Sequence, residues 1–160
     1  MTYAIQGLDP IHFAPLFAMS DAQLAAIRAT RVTAAASRGF PCRVSLRDAA
    51  AGEQLILLHH TSHAVETPYR SAYAIFVRKA ADRPASYVDC LPPVFEGRPL
   101  GLRGFDAAGV LRDARLALPG EAEAGIIDLL ANPAIAYIDA HNAAHGCFAA
   151  RVERHEEPVA

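Results

Sequence analysis

The residues best suited to chemistry lie near the C-terminus, where residues 135–154 predict a β-hairpin. Side chains alternate along a strand, so Asp139 and His141 share one face of the first predicted strand. If the five-residue loop 142–146 closes symmetrically, His141 lies opposite Cys147. An imidazole can take the proton of a neighbouring thiol, and the thiolate is the nucleophilic form. With Asp139 orienting the imidazole, the spacing predicts a Cys-His-Asp constellation for thiol-dependent catalysis.

This prediction depends on the register of the hairpin. The symmetric loop also places Asp139 opposite Ala149 and Tyr137 opposite Arg151. A slip of one residue would send the paired side chains to opposite faces. The alternative is then a buried cysteine, a structural histidine and a surface aspartate.

Arginine offers a second chemistry, because Lys79 is the only lysine among the 15 basic residues. The guanidinium group binds carboxylate and phosphate groups in a bidentate manner. Convergence of several arginines on one cleft would therefore hold a small anionic molecule. Solvated or salt-bridged arginines, as a GC-rich genome would encode, are the alternative. The candidate ligand-binding residues are Arg43, Arg70, Arg103 and Arg151.

Metal and cofactor sites find less support in the sequence. A zinc site built from His59 or His63 with His141, His145 and Cys147 is chemically reasonable. No compact ligand motif supports it, so we predict no metal and no cofactor. Glycine-rich nucleotide motifs, H-E-x-x-H, G-x-S-x-G and C-x-x-C are also missing.

The elements that must position these residues predict an α+β fold: a mainly antiparallel sheet with two or three packed helices and a C-terminal β-hairpin. Ser20 and Gln23 have the spacing of a capping box at the start of a helix. A second helix begins at Pro119 and ends at Asn132, with one apolar stripe. Besides the hairpin, the predicted strands are 3–8, 54–60, 73–77, 100–105 and 110–117.

Length and composition place limits on the remaining possibilities. A chain of 160 residues predicts a single domain, 1–160, with a frayed tail over about 155–160. The net charge of −2 gives no field that attracts nucleic acid, and no apolar run is long enough to cross a membrane. We therefore expect neither partner. Three scattered cysteines and no signal peptide predict a cytoplasmic protein with reduced thiols.

Several phrases of the sequence resemble a known family. They include Phe40-Pro-Cys-Arg-Val-Ser-Leu46, Pro68-Tyr-Arg70, Arg103 with Phe105-Asp106, and the closing 141–154 segment. Together they resemble the bacterial family of domain of unknown function 1203, from about Gly7 to Arg154. The resemblance implies a small bacterial domain of this length, and it assigns no catalytic or binding residue.

Three functions therefore follow from the sequence. The first is a pocket for a small anionic metabolite, held by two or more arginines near His141. The second is a thiol-dependent enzyme that uses Cys147, His141 and Asp139. The third is a structural or interaction protein, for example a homodimer formed through an open sheet edge.

Overall fold

The computed structural model describes residues 2–155, and they form an α+β fold of mostly antiparallel strands. Two α-helices and three short 3₁₀ helices accompany nine strands in these residues. The predicted fold class is therefore confirmed. The strands are β1 (Thr2–Gln6), β2 (Ala29–Thr33), β3 (Gln54–His63), β4 (Ser71–Arg78), β5 (Ser86–Val88), β6 (Leu100–Phe105), β7 (Leu111–Ala117), β8 (Tyr137–Asn142) and β9 (Phe148–His155).

The strands form two sheets, whereas the sequence pattern predicts a single main sheet. Six strands pair in the order β5-β1-β9-β8-β6-β7, and three pair in the order β2-β3-β4. Neighbouring strands in both sheets run antiparallel. The hydrophobic alternation within each strand does not show which strand is its neighbour, so the division into two sheets was not visible in the sequence.

Helix α2 (Ala122–Ala131) covers one face of the six-stranded sheet. Its buried residues are Ala122, Ile126, Leu129 and Leu130, the stripe that the sequence predicted. The helix begins three residues later than expected, because Pro119 lies in the preceding turn, where the Glu121 side chain accepts a hydrogen bond from the Leu118 amide. Its last residue is Ala131, and Asn132, where the helix was predicted to stop, is its C-cap.

The three-stranded sheet has its own core, closed by α1 (Asp21–Ala26) and by the 3₁₀ helix Ala14–Ala18, which follows a shorter exposed 3₁₀ helix at Pro10–His12. The Ser20 hydroxyl accepts from the Gln23 amide, and the Gln23 side chain accepts from the Ser20 amide. The predicted capping box is therefore confirmed.

Residues 40–48 link the two sheets. Cys42 forms a parallel bridge to Phe76 of β4, and the Arg43 amide donates to the Phe76 carbonyl. On the other side, the Arg43 carbonyl accepts from Leu8, just beyond β1. Gly7 fits here because a Cβ on it would come within 1.9 Å of the Val44 carbonyl oxygen.

The C-terminal hairpin is confirmed as β8 and β9, but its predicted register is wrong. Asp139 lies opposite Arg151 instead of Ala149, and His141 lies opposite Phe148 instead of Cys147. A β-bulge between Ala140 and His141 causes part of this shift, because two residues of one strand then face one of the other. The opposite partner of Tyr137 is Glu153, not Arg151.

The ends of the hairpin also differ from the prediction. Its loop covers residues 143–147, one residue later than expected, and so contains Cys147. The predicted tail began at His155, which instead pairs with Thr2 as the last residue of β9. The rest of that tail, 156–160, lies outside the described residues.

Candidate functional site

The candidate site is a cavity of about 480 Å³ where the two sheets meet. This volume is in the range of sites for small organic ligands. Its walls come from the 39–43 segment, β3, β4, the stretch before β6 and the hairpin loop. Apolar side chains provide most of the lining, and the polar side chains are Arg43, Tyr73, Arg98, Asn142, His145 and Cys147.

Arg43 is the most unusual of these residues, because it is only 2% exposed. Its Nε donates to the Phe148 carbonyl at 2.7 Å, and Nη1 donates to the Pro41 carbonyl. Its Nη2 donates to the Cys147 sulfur at 3.1 Å. Within residues 2–155, no carboxylate pairs with this guanidinium. A buried cation without a carboxylate partner favours a negative charge in the cavity beside it.

The pKa of Arg43 depends on its burial and on its neighbours in the cavity wall. Burial lowers the pKa of Arg43, because the charged form loses hydration. Contact with Cys147 acts in the opposite direction, and the neighbouring Arg98 charge lowers the pKa further. Arginine stays protonated in proteins, so the cavity wall carries a positive charge.

Cys147 is positioned by the hairpin loop. The Asn142 amide donates to the Cys147 carbonyl at 2.9 Å, and the Gly146 amide donates to the Asn142 carbonyl at 2.7 Å. Gly146 has a φ of 75°, a conformation that glycine adopts without strain. The Cys147 sulfur accepts a second hydrogen bond, at 3.4 Å, from the Asn142 side chain. Two donors therefore point at the sulfur, and one of them is cationic.

Arg98 adds a second guanidinium to the cavity, but its charge is compensated. Its Nη2 donates to both carboxylate oxygens of Asp48, at 2.8 and 2.9 Å. The same carboxylate accepts from the amides of Gly39 and Phe40. Asp48 thus fixes both Arg98 and the 39–40 backbone at the cavity wall.

The predicted Cys-His-Asp constellation is not assembled. The partners of the Cys147 sulfur are Arg43 and Asn142, and His141 is not among them. The His141 Nδ1 lies 3.3 Å from the Asp139 carbonyl oxygen, while the Asp139 carboxylate bonds to Arg151. The changed register is the physical reason, because it places His141 opposite Phe148.

The four predicted arginines do not share one cleft. Arg43 lines the large cavity, and Arg103 lines a smaller pocket beside it. Arg70 forms an exposed salt bridge with Glu66, four residues earlier. Arg151 binds Asp139 across the hairpin and lies over the Tyr137 ring, with its Cζ 4.2 Å from the ring centroid. Arg43 and Arg103 therefore line adjoining spaces, whereas Arg103 and Arg151 flank Asp139 on neighbouring strands.

Comparison with known proteins adds a family. A family model described as Protein of unknown function (DUF1203) matches residues 39–154. The chain belongs to this family. No curated protein and no solved structure gave a match. The cavity residues from Gly39 to Cys147 all lie inside the matched part. The expected family is thus confirmed, over a shorter range than the predicted 7–154.

For this DUF1203 member, sequence reasoning missed Asn142, Arg98 and Asp48. Asn142 belongs to the predicted loop, and Arg98 lies between Gly97 and Pro99, which favour a turn. Nothing in the local pattern placed either residue near Cys147. Their proximity arises from long-range pairing of strands, which local pattern does not encode.

Two further observations concern metals and membranes. Among residues 2–155, no group of three or more histidine, cysteine, aspartate or glutamate side chains has the geometry to hold a metal ion. No helix in that range is long and apolar enough to cross a membrane.

Proposed function

We propose that this DUF1203 protein binds a small organic anion, with a largely apolar body, in the cavity between its sheets. The observation that carries the proposal is the buried Arg43 guanidinium, which lines the cavity and lacks a carboxylate partner in the described residues. Because burial deprives this cation of hydration, it favours a negative charge bound in the cavity or in the space that adjoins it. The apolar lining supports a ligand with a hydrocarbon or aromatic body.

An amphipathic fluorescent anion tests this proposal. 8-Anilinonaphthalene-1-sulfonate becomes fluorescent in apolar sites, and N-phenyl-1-naphthylamine is a closely related probe without the sulfonate. We expect one saturable site that binds the sulfonate about tenfold or more tightly than the neutral probe, because charge-assisted contacts are worth about 1.5–3 kcal/mol. Equal affinities would contradict the anionic part of the proposal.

A cavity-filling variant locates the site. Ala143 is exposed at the cavity rim, so Ala143→Trp should fill the cavity with little cost to the fold. Ala107, exposed in the turn between β6 and β7, provides the matched control Ala107→Trp. Binding that is weakened in the first variant and unchanged in the second supports the proposal. Equal binding by both variants, each with an unchanged melting temperature, contradicts it.

The second candidate function is thiol-dependent chemistry at Cys147. The observation that favours it is the 3.1 Å contact between the Cys147 sulfur and the Arg43 guanidinium. A cation in hydrogen-bond contact stabilises a thiolate, which is the form that attacks electrophiles. In this function the thiolate itself supplies the negative charge that Arg43 lacks. Arg43 stabilises this charge, but it does not take the thiol proton as His141 was expected to do.

Competitive alkylation separates the two functions. Iodoacetamide forms a carbon–sulfur bond and releases iodide, so its rate reports the thiolate. The exposed Cys90 serves as the internal control in the same molecule. A thiol enzyme predicts that Cys147 is labelled faster than Cys90 at pH 7, although it is only 9% exposed. It also predicts that Arg43→Gln, which removes the positive charge, slows the labelling. Labelling of Cys147 that is no faster than that of Cys90 contradicts this function.

We also propose the bacterial cytoplasm as the location. All three cysteines are unpaired, as a reducing compartment would keep them. Fractionation of the native host would test this proposal, and recovery of the protein outside the cytoplasm would contradict it.

A further inference from the structure

A second pocket of about 220 Å³ adjoins the large cavity, and the two share Tyr73 and His145 in their walls. The smaller pocket lies where β3 and β4 of one sheet face β6, β8 and β9 of the other. Its lining is mostly polar, in contrast to the large cavity. The polar residues besides the shared ones are Ser62, Ser71, Arg103 and His141.

Arg103 is the only arginine or lysine that lines this pocket. Its side chain is half-buried, and its guanidinium forms no hydrogen bond or ion pair with residues 2–155. Asp139 is its neighbour on β8, but both oxygens of that carboxylate bond to Arg151, at 2.7 and 3.0 Å. The donors of Arg103 are therefore available to a ligand.

His141 presents a second polar group. Its residue is only 3% exposed, and its Nδ1 lies 3.3 Å from the Asp139 carbonyl oxygen. Because a carbonyl only accepts, Nδ1 carries the proton and Nε2 holds the lone pair in the neutral ring. Nε2 has no hydrogen-bond partner in residues 2–155. Every fully buried side-chain nitrogen or oxygen atom of these residues has such a partner, so Nε2 is not fully buried. Nε2 must therefore reach the pocket.

The two serines come from an irregular part of the three-stranded sheet. The register between β3 and β4 shifts between Thr61 and His63, so Ser62 is the extra residue of a β-bulge. A bulge re-aims a side chain, and bulges are common beside functional sites. Ser71 is the first residue of β4, opposite His63. Both hydroxyls can donate to an oxygen atom in the pocket.

We propose that the smaller pocket binds the oxyanion group, a carboxylate, sulfonate or phosphate, of the ligand whose body occupies the large cavity. The inference rests on the proposed function and specifies its ligand class. Arg103 supplies a bidentate cation, Ser62 and Ser71 supply hydroxyl donors, and the shared wall at Tyr73 and His145 lets one molecule reach both spaces.

Binding in this pocket should be coupled to a proton. Burial and the nearby Arg103 charge lower the pKa of His141 to about 4, so the ring is neutral at pH 7. An anion at Nε2 favours the imidazolium, which can donate to it, so the bound anion raises the pKa of His141. The charged or titratable groups facing His141 from the surrounding elements are Asp139, Arg103, His63, His145 and Tyr73.

Inorganic sulfate is the probe for this pocket, because its charge is constant between pH 5 and 8. Calorimetry at constant ionic strength in chloride should show sulfate binding about threefold or more tightly at pH 5.5 than at pH 7.5. Histidine ring NMR of the wild-type protein should show the His141 titration midpoint moving to higher pH when sulfate is added. An unmoved midpoint contradicts the proton coupling without requiring any variant.

Three variants assign the effect to named residues. Arg103→Gln should weaken sulfate binding about tenfold or more at both pH values. Arg70→Gln removes an equal charge from the surface and should leave binding unchanged. His141→Asn should lose the pH dependence of sulfate binding. Equal sulfate affinities for Arg103→Gln and Arg70→Gln, with both variants folded, overturn the inference.

The failures of the two proposals can be told apart. Ala143→Trp should block the anilinonaphthalene sulfonate and leave sulfate binding intact. If the fluorescent anion is insensitive to Ala143→Trp while sulfate binding requires Arg103, the proposed function fails and the oxyanion pocket stands. If Arg103→Gln abolishes sulfate binding but leaves the fluorescent anion unaffected, the single-ligand inference is wrong.

Discussion

Cys147 and His141 have different surroundings, and these surroundings determine what chemistry each side chain can perform. Cysteine and histidine lie six residues apart in the hairpin, yet Cys147 contacts a guanidinium and His141 faces a separate pocket. A guanidinium cannot act as a base, because it does not give up its proton near neutral pH. It can stabilise a thiolate, so any reactivity of Cys147 would depend on charge compensation and not on proton transfer to His141.

His141 gives the first prediction. Its pKa is lowered to about 4 in the folded protein, mainly by burial, against an ordinary value of 6.5. Above pH 6.5 the ring is neutral in both states. As the pH falls from 6.5 to 4, His141 becomes protonated in the unfolded chain but stays largely neutral in the folded chain. The free energy of unfolding therefore decreases, by about 3 kcal/mol at most.

Urea unfolding at pH 7, 6, 5 and 4 measures this loss. His141→Asn should lose less stability over the same range than the wild-type protein. His12→Asn, at an exposed histidine, is the matched control and should follow the wild-type curve. A pH dependence that is the same in all three proteins contradicts the prediction.

At the scale of elements, the cross-strand pair Asp139 and Arg151 stabilises the register of β8 and β9. Asp139 is fully buried, whereas the Arg151 side chain is 34% exposed. Arg151→Gln leaves a buried carboxylate without its bidentate partner, at a cost of about 3–5 kcal/mol. Asp139→Asn leaves a partly hydrated guanidinium and should cost about 1–2 kcal/mol.

Urea unfolding of both variants and of the double variant tests the pair. The double variant should be more stable than the sum of the two single effects predicts, because neither charge is then left alone. Equal losses for the two single variants would show that the burial of Asp139 does not control the energetics.

Elements that depend on local signals were predictable, and their partners were not. The Ser20–Gln23 capping box and the stripe of α2 follow from spacing within about ten residues. The hairpin was also found, but the bulge between Ala140 and His141 was not, because no glycine or proline marks it. The site depends on that bulge and on Arg43, which lies about a hundred residues earlier in the chain, so the site geometry needed the structure.

At the scale of the whole molecule, the candidate site lies at the junction of the two sheets. The 40–48 segment contacts β4 through Phe76, and the Arg43 side chain reaches the Phe148 carbonyl at the start of β9. The second pocket also has walls from both sheets. Changes in how the sheets meet would therefore alter both spaces together. A homodimer through the edge strands β5 or β7 stays a prediction, which light scattering of the purified protein tests.

The last prediction concerns the single domain. Because the 40–48 segment forms backbone hydrogen bonds toward both sheets, we expect one cooperative unfolding unit. Ile56→Val in the three-stranded sheet removes one buried methylene, which should cost about 0.5–1.5 kcal/mol. Native-state hydrogen exchange should then show an equal loss for the most protected amides of β3 and of β8. The reciprocal variant, Ile138→Val, should do the same from the six-stranded sheet. A loss confined to the sheet that carries the substitution would show two separately unfolding units, and the cavity would then lie between two bodies that open independently.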